Sequence, residues 1–142
     1  MDNNIHALEK KLTVDFNNKN LLITAITHSS YANQYKNIRF NERLEFFFFF
    51  LLQLTITEYL FNKFTDKSEG ELTKLRSLIV CESSLYEIAK VLNLGLYIRM
   101  SKGEEITGGR ERVSLLADCM EAIIAAIYLD KGIKEAKEFI LR

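Results

Sequence analysis

The sequence predicts an all-α fold, and three observations carry the prediction. The 142 residues include no proline, the main breaker of helix interiors, so long helices can follow one another. Apolar residues recur three and four positions apart, as in the first helix, where Ile5, Leu8 and Leu12 share one face. No segment of useful length alternates apolar and polar residues as a half-buried strand does. The length predicts one domain, residues 1–142, with one core.

The remaining elements follow in chain order from the same periodicity. After Leu12, a polar turn from Asp15 to Asn20 precedes a second helix that begins at Leu21 and carries His28. The longest helix begins after Asn41, a favourable N-cap, and runs to Phe64. Further helices are predicted from Ser68 to Ile79, from Ser83 or Ser84 to Leu92, from about Ser114 to Asp130 and after Gly132 to Arg142, and loops from Asn33 to Arg39 and from Lys102 to Arg112.

The composition argues against several classes of protein. A formal net charge of zero disfavours a large sequence-independent basic surface and a polybasic membrane anchor. The segment Met1–Lys11 is too polar for a signal peptide, and the apolar run Phe46–Leu52 is far shorter than the ~20 residues of a membrane span. Cys81 and Cys119 lie in apolar helical segments, which indicates small buried side chains in a reducing compartment. We therefore expect a cytosolic protein without a membrane partner.

Two predicted helices each carry a pair of acids three residues apart. Glu42 and Glu45 share one face of the long helix, and Asp118 and Glu121 share a face of a strongly apolar helix. Four such carboxylates could bind hard divalent cations, which prefer oxygen ligands. The spacing alone also fits solvated charges at a helix start and acids paired with Lys or Arg. Burial of an unpaired carboxylate is costly, so the second pair needs some partner.

Several segments, in chain order, resemble those of the ribonuclease III family. They are Thr27-His28-Ser29-Ser30-Tyr31, Asn41-Glu42-Arg43-Leu44-Glu45-Phe46, Glu69-Gly70-Glu71-Leu72-Thr73-Lys74-Leu75-Arg76, Gly108-Gly109, and Ser114 to Ile124. The resemblance extends over essentially the whole chain. It implies a helical endonuclease domain that forms a homodimer and cuts double-stranded RNA during processing of ribosomal and messenger precursors. Many members of the family carry a separate double-stranded RNA-binding domain after this one, and we expect none within these 142 residues. The resemblance implies Mg²⁺ as well, with Mn²⁺ as a possible substitute, and products with 5′-phosphates and short 3′ overhangs.

The resemblance also assigns roles to individual residues. Glu45, Asp118 and Glu121 match metal-binding acids of the family, with Glu121 among those usually called catalytic. Phe46 matches an aromatic residue that packs against the partner subunit. Glu42 and Glu69 match further acids near the cleft. The candidate phosphate contacts are Lys74, Arg76, Lys102, Arg110 and Arg112. We expect His28 to be structural.

The chain departs from the family pattern one helical turn after Glu45. The family has aspartate where this chain has Phe49, and glycine where it has Phe48. Phenylalanine offers no oxygen to a hard cation, so we expect weaker metal binding and much reduced cleavage. The ring at position 48 is expected to overpack a site of close approach, at about 1–3 kcal/mol. The simplest structural interpretation of Phe46–Phe50 is a fully buried central helix.

Two other functions remain open at this point. A dimer that grips duplex RNA or RNA-processing partners without cutting them fits the loss of an acid at position 49. A purely structural helical dimer would neither bind RNA nor be stabilised by metal. The residues provide no physical reason for five consecutive phenylalanines, and they do not distinguish a natural run from an engineered replacement or a recording error.

Overall fold

The computed structural model describes residues 2–79 and 82–140, so Cys81 lies outside the described residues. Within these ranges the protein is helical and forms no strand, which confirms the all-α prediction. The helices are α1 (Asp2–Leu12), α2 (Lys19–Ala25), α3 (Ser29–Gln34), α4 (Glu42–Lys63), α5 (Glu69–Ile79), α6 (Glu82–Val91), α7 (Lys102–Ile106), α8 (Val113–Lys131) and α9 (Ile133–Ile140), with 3₁₀ turns at Leu94–Leu96 and Gly109–Glu111.

Helix α8 forms the centre of the core. It packs against α2, α4, α6 and α9, and its most extensive contact is with α4. Ile123, Ile127, Met120 and Cys119 are fully buried, as the apolar composition of this segment predicts. The four surrounding helices can approach closely because the buried surface also includes small side chains. These small side chains are Ala117, Ala122, Ala125 and Ala126.

Helix α4 is buried on one side only, so the prediction of a fully buried central helix is wrong. Phe48 is 3% exposed and belongs to the core, whereas Phe46, Phe49 and Phe50 are 83%, 67% and 68% exposed. Consecutive helical residues point about 100° apart, so a single partner helix cannot cover all of them. By length and composition alone, α4 could cross a membrane, and a third of its most apolar stretch is buried in the structure. Core helices of soluble proteins meet the same criteria, so this is weak evidence for a membrane span.

Asn41 precedes α4 as predicted, but its side chain does not cap the helix. Its Nδ2 donates instead to the carbonyl oxygen of Ala25 at 3.1 Å, and its backbone N–H donates to the carbonyl of Thr27 at 3.0 Å. The thiol of Cys119 donates to the same Ala25 oxygen at 3.4 Å. Asn41 therefore fastens the start of α4 to the end of α2, beside α8.

Both predicted loops contain helical structure. Helix α3 ends at Gln34, and the side chain of His28 caps its start by accepting the backbone N–H of Ser30 at 3.1 Å. The segment predicted as a charged loop holds α7 and a 3₁₀ turn, because Ser101 Oγ caps α7 by accepting the backbone N–H of Glu104 at 3.1 Å. These helices are too short to show a clear apolar period.

The role of Asn41 can be tested by separating its two possible functions. Aspartate is as good an N-cap as asparagine but cannot donate a hydrogen bond when ionised. We predict that Asn41→Asp and Asn41→Ala both lower the free energy of unfolding by about 1–3 kcal/mol, because Ala25 loses its amide donor. Denaturant unfolding would measure this, with the exposed Asn33→Ala as control. Full stability of Asn41→Asp would show that capping is the true role.

Candidate metal and active site

The contact between α4 and α8 brings together three of the predicted acids. Glu45 comes from the first turn of α4 and is half-buried, as are Asp118 and Glu121 on α8. The charges of Asp118 and Glu121 both act on the carboxyl of Glu45, so the three acids interact across this contact. None of the ion pairs among the described residues involves these three acids. The interface therefore holds negative charge that no nearby lysine or arginine pairs with.

The environment of these acids disfavours their ionised forms. Burial, followed by the charges of Asp118 and Glu121, raises the pKa of Glu45 to about 8. Burial, followed by the charges of Asp118 and Glu82, raises the pKa of Glu121 to about 7. Burial also raises the pKa of Asp118, although its hydrogen bond with Glu45 acts in the opposite direction. Such clustered, shifted acids are characteristic of functional sites and of sites that take a cation.

A cleft of about 430 Å³ opens beside this cluster. Helix α8 lines it with Asp118 and Glu121, and α6 adds Glu82. The wall formed by α4 is largely apolar, and Phe49 stands in it where an acid would otherwise face the cleft. The other lining residues are Phe48, Leu52, Gln53, Thr73, Arg76, Ser77, Leu85 and Ala117. Phe49 therefore lines the same cleft as Asp118 and Glu121.

The donor chemistry of the cluster fits a hard divalent cation, since the three side chains offer carboxylate oxygens and lack positive partners. Within the described residues, however, no three His, Cys, Asp or Glu side chains are gathered closely enough to hold a metal ion. The acids are therefore arranged as a repelling cluster rather than as a closed coordination site. Glu45, Asp118 and Glu121 are the residues that would hold such an ion.

The two secondary acids lie outside the cleft. Glu42 is exposed and lines a separate groove with Arg43 and Phe47, although its charge contributes to the raised pKa of Glu45. Glu69 is exposed at the start of α5 and lines a third groove. That groove shares Thr73 and Arg76 with the cleft, so Glu69 adjoins the candidate site without entering it.

The predicted RNA-contacting residues on α5 differ in position. Arg76 lines the cleft, and its Nη1 donates to Thr57 Oγ1 at 2.8 Å. Lys74 is exposed on the same helix but is not among the residues lining the cleft. Among the described residues that line the cleft, Arg76 is the only Lys or Arg. It is therefore the cation best placed to meet a phosphate beside the acids.

The two predicted contacts near the glycine pair have structural partners. Arg110 Nη1 donates to the carbonyls of Gly95 and Ile98 at 2.7 and 2.9 Å, and its Nε lies 3.0 Å from a carboxylate oxygen of Glu105. The backbone at Gly95 is so close that a Cβ would lie 2.3 Å from the Arg110 carbonyl oxygen. These contacts hold the 3₁₀ turns together and occupy much of the Arg110 guanidinium.

Arg112, the residue before α8, is held in a similar way. It forms an ion pair with Glu104 and donates to the carbonyl of Thr107 at 3.1 Å. The pKa of His28 is lowered first by burial of its ring and then by the positive charge of Arg112. Lys102 is exposed on α7. The guanidinium groups of Arg110 and Arg112 therefore already have protein partners. An RNA contact by either residue stays a prediction.

Sequence reasoning missed Glu82, which is the first residue of α6 and lines the cleft. Acids are common in the first turn of any helix, so its position gave no specific signal. Gln53, Thr73 and Ser77 were missed for a related reason. They are polar residues on helices whose relative placement sets which of them meet.

Comparisons with known proteins identify the family. The model of the Ribonuclease-III-like family matches residues 18–142. The chain is 62% identical over 141 residues to Ribonuclease 3 of Clostridium perfringens and 69% identical over 134 residues to Ribonuclease 3 of Clostridium botulinum. The matches cover 99% and 94% of this chain. The chain belongs to the ribonuclease III family.

Solved structures agree with this assignment. The nuclease domain of ribonuclease III from Campylobacter jejuni superposes with a TM-score of 0.88 at 49% identity, over 97% of this chain and 94% of that one. A second structure of that domain superposes with a TM-score of 0.87. The chain spans about 60% of the length of the two clostridial relatives, so the similarity concerns one part of those proteins.

The shifted acids predict that the metal-free protein loses stability as the pH rises from about 5 to about 8. The ordinary pKa of a glutamate carboxyl is 4.5, whereas in the folded protein the pKa is about 8 for Glu45 and about 7 for Glu121. Between these limits the folded state binds more protons than the unfolded state, so raising the pH favours unfolding. Their stabilising contribution is complete below 4.5 and is lost as the pH passes 7 to 8.

Denaturant unfolding at several pH values in EDTA would measure this dependence. Glu121→Gln should flatten it, because the amide removes one titrating group and relieves repulsion on Glu45. The exposed Glu135→Gln on α9 serves as the matched control. An unchanged slope in Glu121→Gln would contradict the clustering of charge at this interface.

Proposed function

We propose that this chain is an endonuclease domain that hydrolyses phosphodiester bonds of double-stranded RNA with Mg²⁺, for which Mn²⁺ can substitute. The observation that carries the proposal is the cluster of Glu45, Asp118 and Glu121 beside a cleft, without a protein cation to pair with them. The names of the clostridial relatives, both Ribonuclease 3, support it. The products are proposed to carry 5′-phosphates and short 3′ overhangs, and the processing of ribosomal and messenger precursors in the cytosol is the proposed setting.

The residues of the chain divide the work of such a reaction. A bound divalent cation supplies charge stabilisation and a more acidic water. Asp118 and Glu121 provide the oxygens that hold the cation at the cleft, and Glu45 adds a third from α4. Arg76, across the cleft, attracts the RNA phosphate and offsets its charge. Duplex RNA is recognised mainly through its shape and backbone, so little base selectivity is expected.

Phe49 limits this site, because its ring occupies the cleft wall and offers no oxygen. Metal binding and cleavage by this chain are therefore proposed to be impaired. We expect Phe49→Asp to raise the rate of Mg²⁺-dependent cutting of a long RNA duplex by at least about tenfold. Phe49 is 67% exposed, so the substitution should leave the fold intact.

Two further variants sharpen this test. Val91→Asp places the same charge on an exposed apolar residue (83%) at the end of α6, outside the cleft and away from α4, and should leave the rate unchanged. Phe48→Gly with Phe49→Asp restores the family pattern, but it also empties a buried position, so its stability must be measured alongside. Failure of both reverted proteins to cut, while folded, would contradict the nuclease assignment.

A second candidate function is favoured by the same phenylalanine. With Phe49 in the cleft, the domain could bind duplex RNA, or RNA-processing partners, without cutting it. RNA binding that weakens with salt, together with no cleavage under any divalent metal and no gain in Phe49→Asp, would support this function. Lys74, Arg76, Arg110 and Arg112 are the proposed phosphate contacts in either case.

We also propose that the domain forms a homodimer through the exposed face of α4. Phe46 is 83% exposed, and an aromatic ring so exposed beside other apolar side chains is typical of an interface. The Campylobacter jejuni structure is described in terms of a region involved in dimer formation, which supports the proposal.

The prediction is that Phe46→Asp raises the dimer dissociation constant more than tenfold, since a central aromatic contact contributes about 2 kcal/mol or more. Sedimentation velocity over a concentration series would measure the shift. Ile106→Asp is the control, because Ile106 is also 83% exposed but lies on α7. Equal behaviour of the two variants would exclude Phe46 from the interface.

A further inference from the structure

The carboxylates that line the cleft come from α8 and α6, and the side chains that α4 contributes to the lining carry none. Asp118 and Glu121 project from α8, and Glu82, the first residue of α6, lines the same cavity. Helices α6 and α8 pack extensively, so the position of Glu82 is fixed by the core rather than by a free loop. Its neighbour on the α6 face, Leu85, is 8% exposed and lines the cleft as well.

Glu82 is exposed at the start of α6, where the helix dipole also favours an acid. It takes part in none of the ion pairs among the described residues, whereas Glu87 on the same helix lies 3.4 Å from Lys90. Its charge acts on both cleft acids, because it contributes to the raised pKa of Asp118 and of Glu121. A third carboxylate placed to repel the other two is unfavourable unless a cation joins them.

We infer that Glu82 is a positioning residue for the divalent cation of this cleft, acting with Asp118 and Glu121 through the water shell of the ion. The inference rests on the proposed function. The water-mediated role is argued from the exposed position of Glu82 on a different helix from the two α8 acids, and from the tendency of Mg²⁺ to keep several of its waters. Glu82 then compensates, from α6, for the carboxylate that the α4 wall lacks at Phe49.

The test measures cation binding directly, independently of cleavage. Calorimetry with Mg²⁺, and with hexaamminecobalt(III) as a probe that binds only through its outer shell, is carried out on the full chain and on Glu82→Gln. We expect Glu82→Gln to weaken the binding of both cations about tenfold, a magnitude usual for groups behind a metal ligand. Glu82→Asp, which keeps the charge, should recover most of the affinity.

Glu87→Gln is the matched control, since it removes an exposed acid from the same helix and should change neither affinity. Glu82→Gln should not lower the unfolding temperature in EDTA, because it removes a repelling charge, and this separates the proposed role from a structural one. Unchanged affinity for Mg²⁺ in Glu82→Gln overturns the inference. If Asp118→Asn also binds Mg²⁺ like the unsubstituted chain, or the unsubstituted chain binds none, the proposed function fails together with it.

Discussion

The apolar contact between α4 and α8 forces carboxylates from both helices into one half-buried place. Burial of the residues between these helices favours the contact, and each large buried side chain contributes about 1.5–3 kcal/mol. The same contact removes Glu45, Asp118 and Glu121 from much of their water. Unpaired charge in such surroundings is unfavourable. The apolar burial that stabilises the core therefore also holds together carboxylates that repel one another. Bound protons relieve part of this repulsion near neutral pH, and a divalent cation can take their place.

The five consecutive phenylalanines illustrate how strongly position on a helix determines the role of a side chain. Phe48 belongs to the core, while Phe47 is half-buried, with its ring centroid 5.3 Å from that of Tyr128 on α8. Phe46 and Phe50 face outward, and Phe49 forms part of the cleft wall. One residue type thus meets four environments, because a helix turns through about 100° at each step. The ring at position 48, where overpacking is expected, is buried in the core at 3% exposure.

The sequence predicts most of the scaffold because its signals are local. Apolar spacing defines α4 and α8 to within one residue at each end, and the spacing of Asp118 and Glu121 places both on one face. The sequence does not predict the features that depend on packing between helices. The partner of Asn41 proved to be the carbonyl of Ala25, which lies 16 residues away in sequence. Glu82 lines the cleft on α6, a helix that packs against α8.

Anomalous X-ray scattering from crystals soaked in MnCl₂ would locate a bound cation most directly. A manganese peak is expected within the α4–α8 interface, bonded to oxygens of Asp118 and Glu121, with Glu45 turned toward it. Peaks confined to other surfaces, with these three carboxylates unmoved, would contradict a cation site between the two helices.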